Sequence, residues 1–250
     1  MKKYIIGFTI GLLLAIGTTA MAGANAGTGI QGTAHDMSSG GAGYGYGNNS
    51  DTLDRVCIYC HTPHHSMLTS EATASGVAYY PLWNHDVTVV TFGIYTNGLA
   101  SGITNTQHAL NAVQTGPGTV SILCLSCHDG SVAVAAYGNL GAGLNPTRNS
   151  AGLNVAGTQY AIGAGGNLSN HHPIGFDYND VVLLDDEIND PSTDLRGANP
   201  WGLKISDLLW AGSRMECSSC HDVHNTKNEG QKFTWVEDTQ SDLCLTCHYK

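Results

Sequence analysis

Charge is scarce in this sequence. Asp, Glu, Lys and Arg make up 12% of its 250 residues, about half the usual quarter. Lys and Arg number only ten against twenty Asp and Glu, for a net charge of −10, which does not fit a nucleic-acid binder resting on a basic surface. The Ala, Glu, Lys and Leu richness of a coiled coil or helical bundle is also missing. Beyond the N-terminal leader no segment approaches 18 consecutive apolar residues, so an integral membrane protein is not expected. There is no P-loop, G-x-S-x-G elbow, HExxH or Rossmann fingerprint. Methionine is limited to five residues, and no cysteine stands outside one repeated motif.

What is present is glycine, histidine and that motif: 32 Gly, 12 His and 8 Cys. The chain opens with Lys2 and Lys3, an apolar run from Ile5 to Ile16, and Ala20-Met21-Ala22. This order reads as a secretory signal peptide over 1–22, with an alternative cut after 26. Its removal takes the net charge to about −12, and it places the protein outside the inner membrane: secreted, extracellular or on the cell surface, with the periplasm as alternative. Residues 23–50 form a Gly-rich arm, expected to be irregular or disordered. Residues 51–250 form the main domain. Short helical turns are expected at the motifs, a helix over 121–136, a short strand over Thr88–Tyr95, and loops over 97–118 and 138–170. The acidic run Asp185–Asp190 reads as a solvated loop, with a Ca²⁺ site as the weaker alternative.

All eight cysteines lie in four C-x-x-C-H motifs: Cys57, Cys60, His61; Cys124, Cys127, His128; Cys217, Cys220, His221; and Cys244, Cys247, His248. Disulfides, zinc or thioredoxin-like redox chemistry do not demand a His after every second Cys. Covalent attachment of c-type haem does. Two thiols add to the two vinyl groups on one porphyrin edge, and the next residue brings an imidazole under the iron. Four c-type haems are therefore expected, with His61, His128, His221 and His248 as proximal ligands.

Eight histidines remain, against only Met37, Met67 and Met215 outside the leader, so His/His ligation is favoured over His/Met. His61-Thr-Pro-His64 and His221-Asp-Val-His224 share an i, i+3 spacing, which puts both rings on one face of a turn. His64 and His224 therefore cannot reach the far side of their own motif's iron, but each can reach a neighbouring one. Pro173 holds His172 in extended backbone, which makes His172 a better ligand than His171. His35 reads either as an exposed arm residue or as a ligand on an arm that reaches a distant haem. The expected distal set is His35, His64, His172 and His224, with His85, His65 and His171 in reserve. His108 is not expected to ligate.

The mature chain resembles the extracellular multihaem c-type cytochromes of metal-reducing bacteria, in particular the tetrahaem members that form filaments. The resemblance is carried by Cys57–His64, Pro81–Asn84, Asn170–Gly175, Glu216–His224 and His35–Ser38. It implies a coil-rich multihaem cytochrome with a few short helices, minimal strand and a haem-packed core. It also implies homopolymers in which His35 ligates a haem of the adjacent subunit, and exchange of electrons with partner cytochromes. The chain is expected to be an electron carrier rather than an enzyme. The rivals are a monomeric periplasmic shuttle and a multihaem reductase, the latter needing an open axial position that eight spare histidines argue against.

Overall fold

The computed structural model describes residues 29–47, 51, 53–61, 82–95, 115–138, 154–226 and 233–249. The leader, His64, His65, Met67 and His108 lie outside the described residues. Regular structure is sparse. The helices are α1 (Tyr44–Gly47), α2 (Thr119–His128), α3 (Tyr178–Val182), α4 (Ile205–Leu208), α5 (Cys217–Cys220) and α6 (Asp242–Cys247), with 3₁₀ turns at Ala164–Gly166 and Thr239–Ser241. Two-residue strands β1 (Phe176–Asp177) and β2 (Arg214–Met215) pair antiparallel, Phe176 opposite Met215. The chain is a coil-rich fold of the kind multihaem cytochromes have. No helix among the described residues is long and apolar enough to cross a membrane.

Among the described residues, the buried apolar side chains gather in four small clusters rather than one core. The largest joins Phe176, Tyr178, Val181, Ile205, Leu209 and Met215. Another joins Tyr59, Val134, Tyr137 and Val155. Clusters this small bury little apolar surface for the backbone entropy they must offset. Buried side-chain hydrogen bonds supply much of the remaining definition. Asn84, 1% exposed, donates to Ile58 O and accepts from Gly138 N, so it ties the first motif to the segment after α2.

Two local expectations are corrected. The helix expected over 121–136 ends at His128: Asp129 Oδ1 accepts from Ser131 N, and Gly130 takes φ +73 with its N–H on Cys127 O, a C-terminal stop. Thr88–Tyr95 is not a strand. Its one ladder contact is an isolated bridge from Gly93 to Asn167, while Thr88 N–H donates to Ser126 Oγ and Thr88 Oγ1 to Asp129. β-branched residues favour extended backbone, but here side chains of α2 and its C-terminal turn take the place of a partner strand.

The arm is also more ordered than its composition suggests. Asp36, 1% exposed, accepts from Gly32 N, Ser38 N and Ser38 Oγ. Burial acts to raise its pKa, but these bonds outweigh it and hold the carboxyl below its usual value. Gly29 and Asn225 exchange two 3.1 Å bonds that pin the start of the arm to the third motif.

Gly175 opens β1 at φ +80, and a Cβ there would overlap the Gly116 carbonyl oxygen. Its N–H and C=O serve Met215 O and Thr115 N, both at 2.8 Å. Gly175→Ala is expected to lower stability by about 2–3 kcal/mol, seen as a lower denaturant midpoint at unchanged slope.

Candidate functional site

Each C-x-x-C-H segment is one helical turn. The histidine N–H closes onto the first cysteine's carbonyl at 2.8 Å in the first motif, 3.1 Å in the third and 2.9 Å in the fourth, and the second motif is the last turn of α2. This winding puts both sulfurs and the imidazole on one side of the turn.

The four turns are held against one another in sequence order. Burial and then Cys57 push the Cys60 thiol up to about 11. Burial raises the Cys127 thiol further, with Cys60 the next contributor. Cys124 and Cys217, from different motifs, share a hydrogen bond that raises the former and lowers the latter. Cys220 is pushed up to about 12, by burial first and then by Cys247. Thiols of motifs one and two, and of three and four, thus lie close enough to act on one another's charge, and those of two and three are in direct contact. The four turns form a connected series.

Packing of α2 against α5 rests on Glu216, whose side chain is 0% exposed. Its carboxylate accepts from Gly118 N at 2.9 Å, Ser121 Oγ at 2.5 Å and Arg214 Nε at 3.1 Å. Ser121 Oγ in turn accepts from Cys217 N at 3.0 Å. Motif four is held by Asn189, which donates from Nδ2 to Thr246 O and from its backbone to Cys247 O.

Imidazole rings face the motif histidines at a narrow range of distances. His61 and His224 have ring centres 6.1 Å apart and planes 24° apart. His35 and His128 stand at 6.0 Å and 61°, and His172 and His248 at 6.3 Å and 76°. Two imidazoles on opposite sides of one metal ion, each nitrogen about 2.0–2.1 Å from it, have ring centres about 6 Å apart. The three pairs therefore fit bis-imidazole ligation. His224 faces the first motif's histidine rather than its own, with Asp222 closing the intervening turn through His224 N and Thr226 N.

Three of these rings are oriented through Nδ1. His61 Nδ1 lies 3.3 Å from Leu82 O, His128 Nδ1 2.8 Å from Tyr160 O, and His172 Nδ1 2.9 Å from Pro173 O. A carbonyl only accepts, so Nδ1 carries the proton and Nε2 keeps its lone pair for a metal. His35 stacks on Phe233 at 4.7 Å and 14° and bonds the Val223 carbonyl. Burial, then His128 and His221, lower its pKa to about 4, so the ring is neutral at neutral pH.

The resemblance implied that His35 ligates a haem of the adjacent subunit; within the single chain its ring stands 6.0 Å from that of His128. The arm that carries it is pinned through Asp36 and Asn225. His85, a reserve ligand, is 2% exposed, with Nδ1 2.6 Å from Asp86 O and Nε2 3.1 Å from Ala133 O. Nε2 also lies 3.3 Å from Cys127 Sγ, an attachment sulfur of the second motif, and among the described residues the ring is not paired with a motif histidine. His171 is half-buried, and among the described residues its ring is not paired with a motif histidine. Met37 and Met215 pack in apolar clusters. Asp185 and Asp190 spend their carboxylates on Glu187 N and Ser192, and the described residues hold no group of three or more His, Cys, Asp or Glu side chains placed to share a metal ion. The sequence reading missed Glu216, Phe233 and the orienting carbonyls. Glu216 directly precedes a motif, which was the one available signal.

Comparison with known families matches residues 211–250, which hold the third and fourth motifs, to the doubled CXXCH motif. No curated protein matches the chain. The motifs indicate covalent binding of c-type haem, and with it electron transfer.

Proposed function

We propose that this chain is an exported electron carrier holding four c-type haems, each between two histidines. The observation that carries this reading is the set of three facing imidazole pairs at 6.0–6.3 Å, each pairing one motif histidine with one from elsewhere in the chain. Each haem, when bound, supplies a one-electron ferric/ferrous couple. Cys57 and Cys60, Cys124 and Cys127, Cys217 and Cys220, and Cys244 and Cys247 hold the porphyrin edges. His61 with His224, His128 with His35, and His248 with His172 would hold the irons. His221 is the fourth proximal ligand, and His64 is proposed for its far side on the i, i+3 spacing. Two imidazoles on one iron occupy the position that a substrate would need, which favours a carrier over a reductase and gives a lower potential than a thioether ligand would.

Export rests on the leader-like N-terminus. Assembly into filaments rests on the resemblance, together with a surface low in charge and rich in exposed apolar side chains. Leu183 is 82% exposed beside Leu184 at 51%, and Val89 is 71% exposed. In this reading His35 serves its own chain, so subunits join through surface contacts rather than through that ligand.

The test is intact mass and the pyridine haemochrome of the secreted protein. The expected result is four covalently attached haems per chain, none released by acid acetone. Fewer than four, or haem lost on extraction, contradicts the proposal. Electron microscopy of the same material decides between filament and monomer.

A further inference from the structure

The indole N–H of Trp83 is buried and has no hydrogen-bond acceptor among the described residues. A buried donor left without an acceptor costs about 1–3 kcal/mol, so native structures rarely keep one. Its location is specific. Residues 82–84 line the first motif position by position. Leu82 O faces His61 Nδ1, Trp83 forms an isolated bridge with His61, and Asn84 N–H donates to Cys60 O at 2.8 Å. The Trp83 ring stands edge-on to the His61 ring, centres 6.2 Å apart at 87°.

The third motif is lined in the same register. There Thr234 bridges His221 as Trp83 bridges His61, so Thr234 stands at the place of Trp83. Trp235 N–H donates to Cys220 O at 3.1 Å as Asn84 N–H donates to Cys60 O, so the place of Asn84 is taken by Trp235. Its indole Nε1 donates to Ser218 O at 2.8 Å. Asn84 Nδ2 donates in the same way to Ile58 O. At the place of Trp83 the third motif has the Thr234 hydroxyl, which donates to Val236 O at 2.7 Å. The fold thus satisfies the polar side chain at that place in the third motif and not in the first.

Resting on the haem reading above, we infer that Trp83 Nε1–H donates to a propionate carboxylate of the haem held by Cys57, Cys60 and His61. A carboxylate is the strong acceptor that a porphyrin brings, and a charge-assisted bond to it is stronger than one to a carbonyl. Scarcity of cations points the same way. Of ten Lys and Arg, Lys2 and Lys3 belong to the leader, and Arg55, Lys204 and Arg214 are paired with Asp51, Asp194 and Glu216. Few basic side chains remain for the propionates of several haems, so neutral N–H donors take part of that role.

The test is Trp83→Phe in the full haem-loaded chain, read by resonance Raman in the propionate-bending region and by a spectroelectrochemical titration. The expected result is a shifted propionate band and one midpoint moved to lower potential, because an uncompensated carboxylate favours ferric iron. Mass and low-spin spectrum should be unchanged. If neither band nor midpoint moves, the inference is overturned. Ultraviolet resonance Raman of the unsubstituted protein keeps the test open should the variant misfold. It should show a strongly hydrogen-bonded, slowly exchanging indole beyond those owed to Trp235 and to the more exposed Trp201 and Trp210, and its absence overturns the inference. Fewer than four haems, or high-spin iron, in the unsubstituted protein contradicts the underlying haem reading instead.

Discussion

Replacing His35 by alanine is expected to leave every haem attached and to turn one per chain high-spin and able to bind carbon monoxide. Attachment depends on the cysteines, and His35 lies outside the four motifs. Its ring stands 6.0 Å from that of His128, stacked on Phe233 and neutral at neutral pH. Phe233 itself sits at φ +58, a backbone state that a bulky residue adopts only where its surroundings hold it there. The arm behind His35 is fixed by three bonds to the buried Asp36 carboxylate. The comparison variant is His85→Ala, which should keep all iron low-spin, since among the described residues the His85 ring lies against Asp86 O, Ala133 O and Cys127 Sγ and is not paired with a motif histidine. Dilution separates an intrachain ligand from one lent by a neighbouring subunit. The low-spin spectrum should persist at nanomolar protein, whereas a borrowed ligand would be lost as subunits separate.

The second large effect is on stability. Glu216→Ala is expected to cost about 3–5 kcal/mol, the range found when one partner of a buried ion pair is removed. The loss strands Ser121 Oγ and Gly118 N–H without their acceptor and leaves Arg214 without its carboxylate. Arg214 is 30% exposed and can turn to water, so most of the cost falls on the buried donors. Glu216→Gln, which keeps one acceptor oxygen in place, should lose less than half as much. Denaturant unfolding of the haem-loaded proteins, followed by far-ultraviolet circular dichroism, measures both. Because Glu216 joins α2 to α5, the alanine variant should also broaden the transition as the second and third motifs uncouple.

The chemistry at this site was legible because it is written in contiguous sequence. A C-x-x-C-H segment needs only one helical turn to present its two sulfurs and imidazole, and four such segments consumed every cysteine. The i, i+3 spacing likewise turns His224 from its own motif, and its ring stands beside that of His61; Pro173 favours an extended His172, and its ring stands beside that of His248. What the sequence could not disclose depends on distant contacts. His35 sits in a Gly-rich stretch with the composition of a flexible leader, yet buried bonds to Asp36 and the Gly29–Asn225 pair fold it back onto its own chain. Orientation of His61 and His128 comes from the carbonyls of Leu82 and Tyr160, which any residue type can supply. The strand expected at Thr88–Tyr95 failed because β propensity does not specify a partner, and Ser126 and Asp129 took its hydrogen bonds. The helix expected beyond His128 failed at Gly130, where a left-handed turn outweighed the alanines that follow.

The central claim, a haem between two histidines at every motif, is tested most directly by low-temperature electron paramagnetic resonance of the fully oxidised chain, with spin quantitation. The account predicts low-spin ferric signals alone, integrating to four spins per chain. Near-parallel rings at His61 and His224 should give a rhombic spectrum. The steeper pairs, at 61° and 76°, leave the iron orbitals more nearly degenerate and should give strongly anisotropic ones. A high-spin ferric signal integrating to one spin or more per chain would mean an iron with an open position, and would contradict the account.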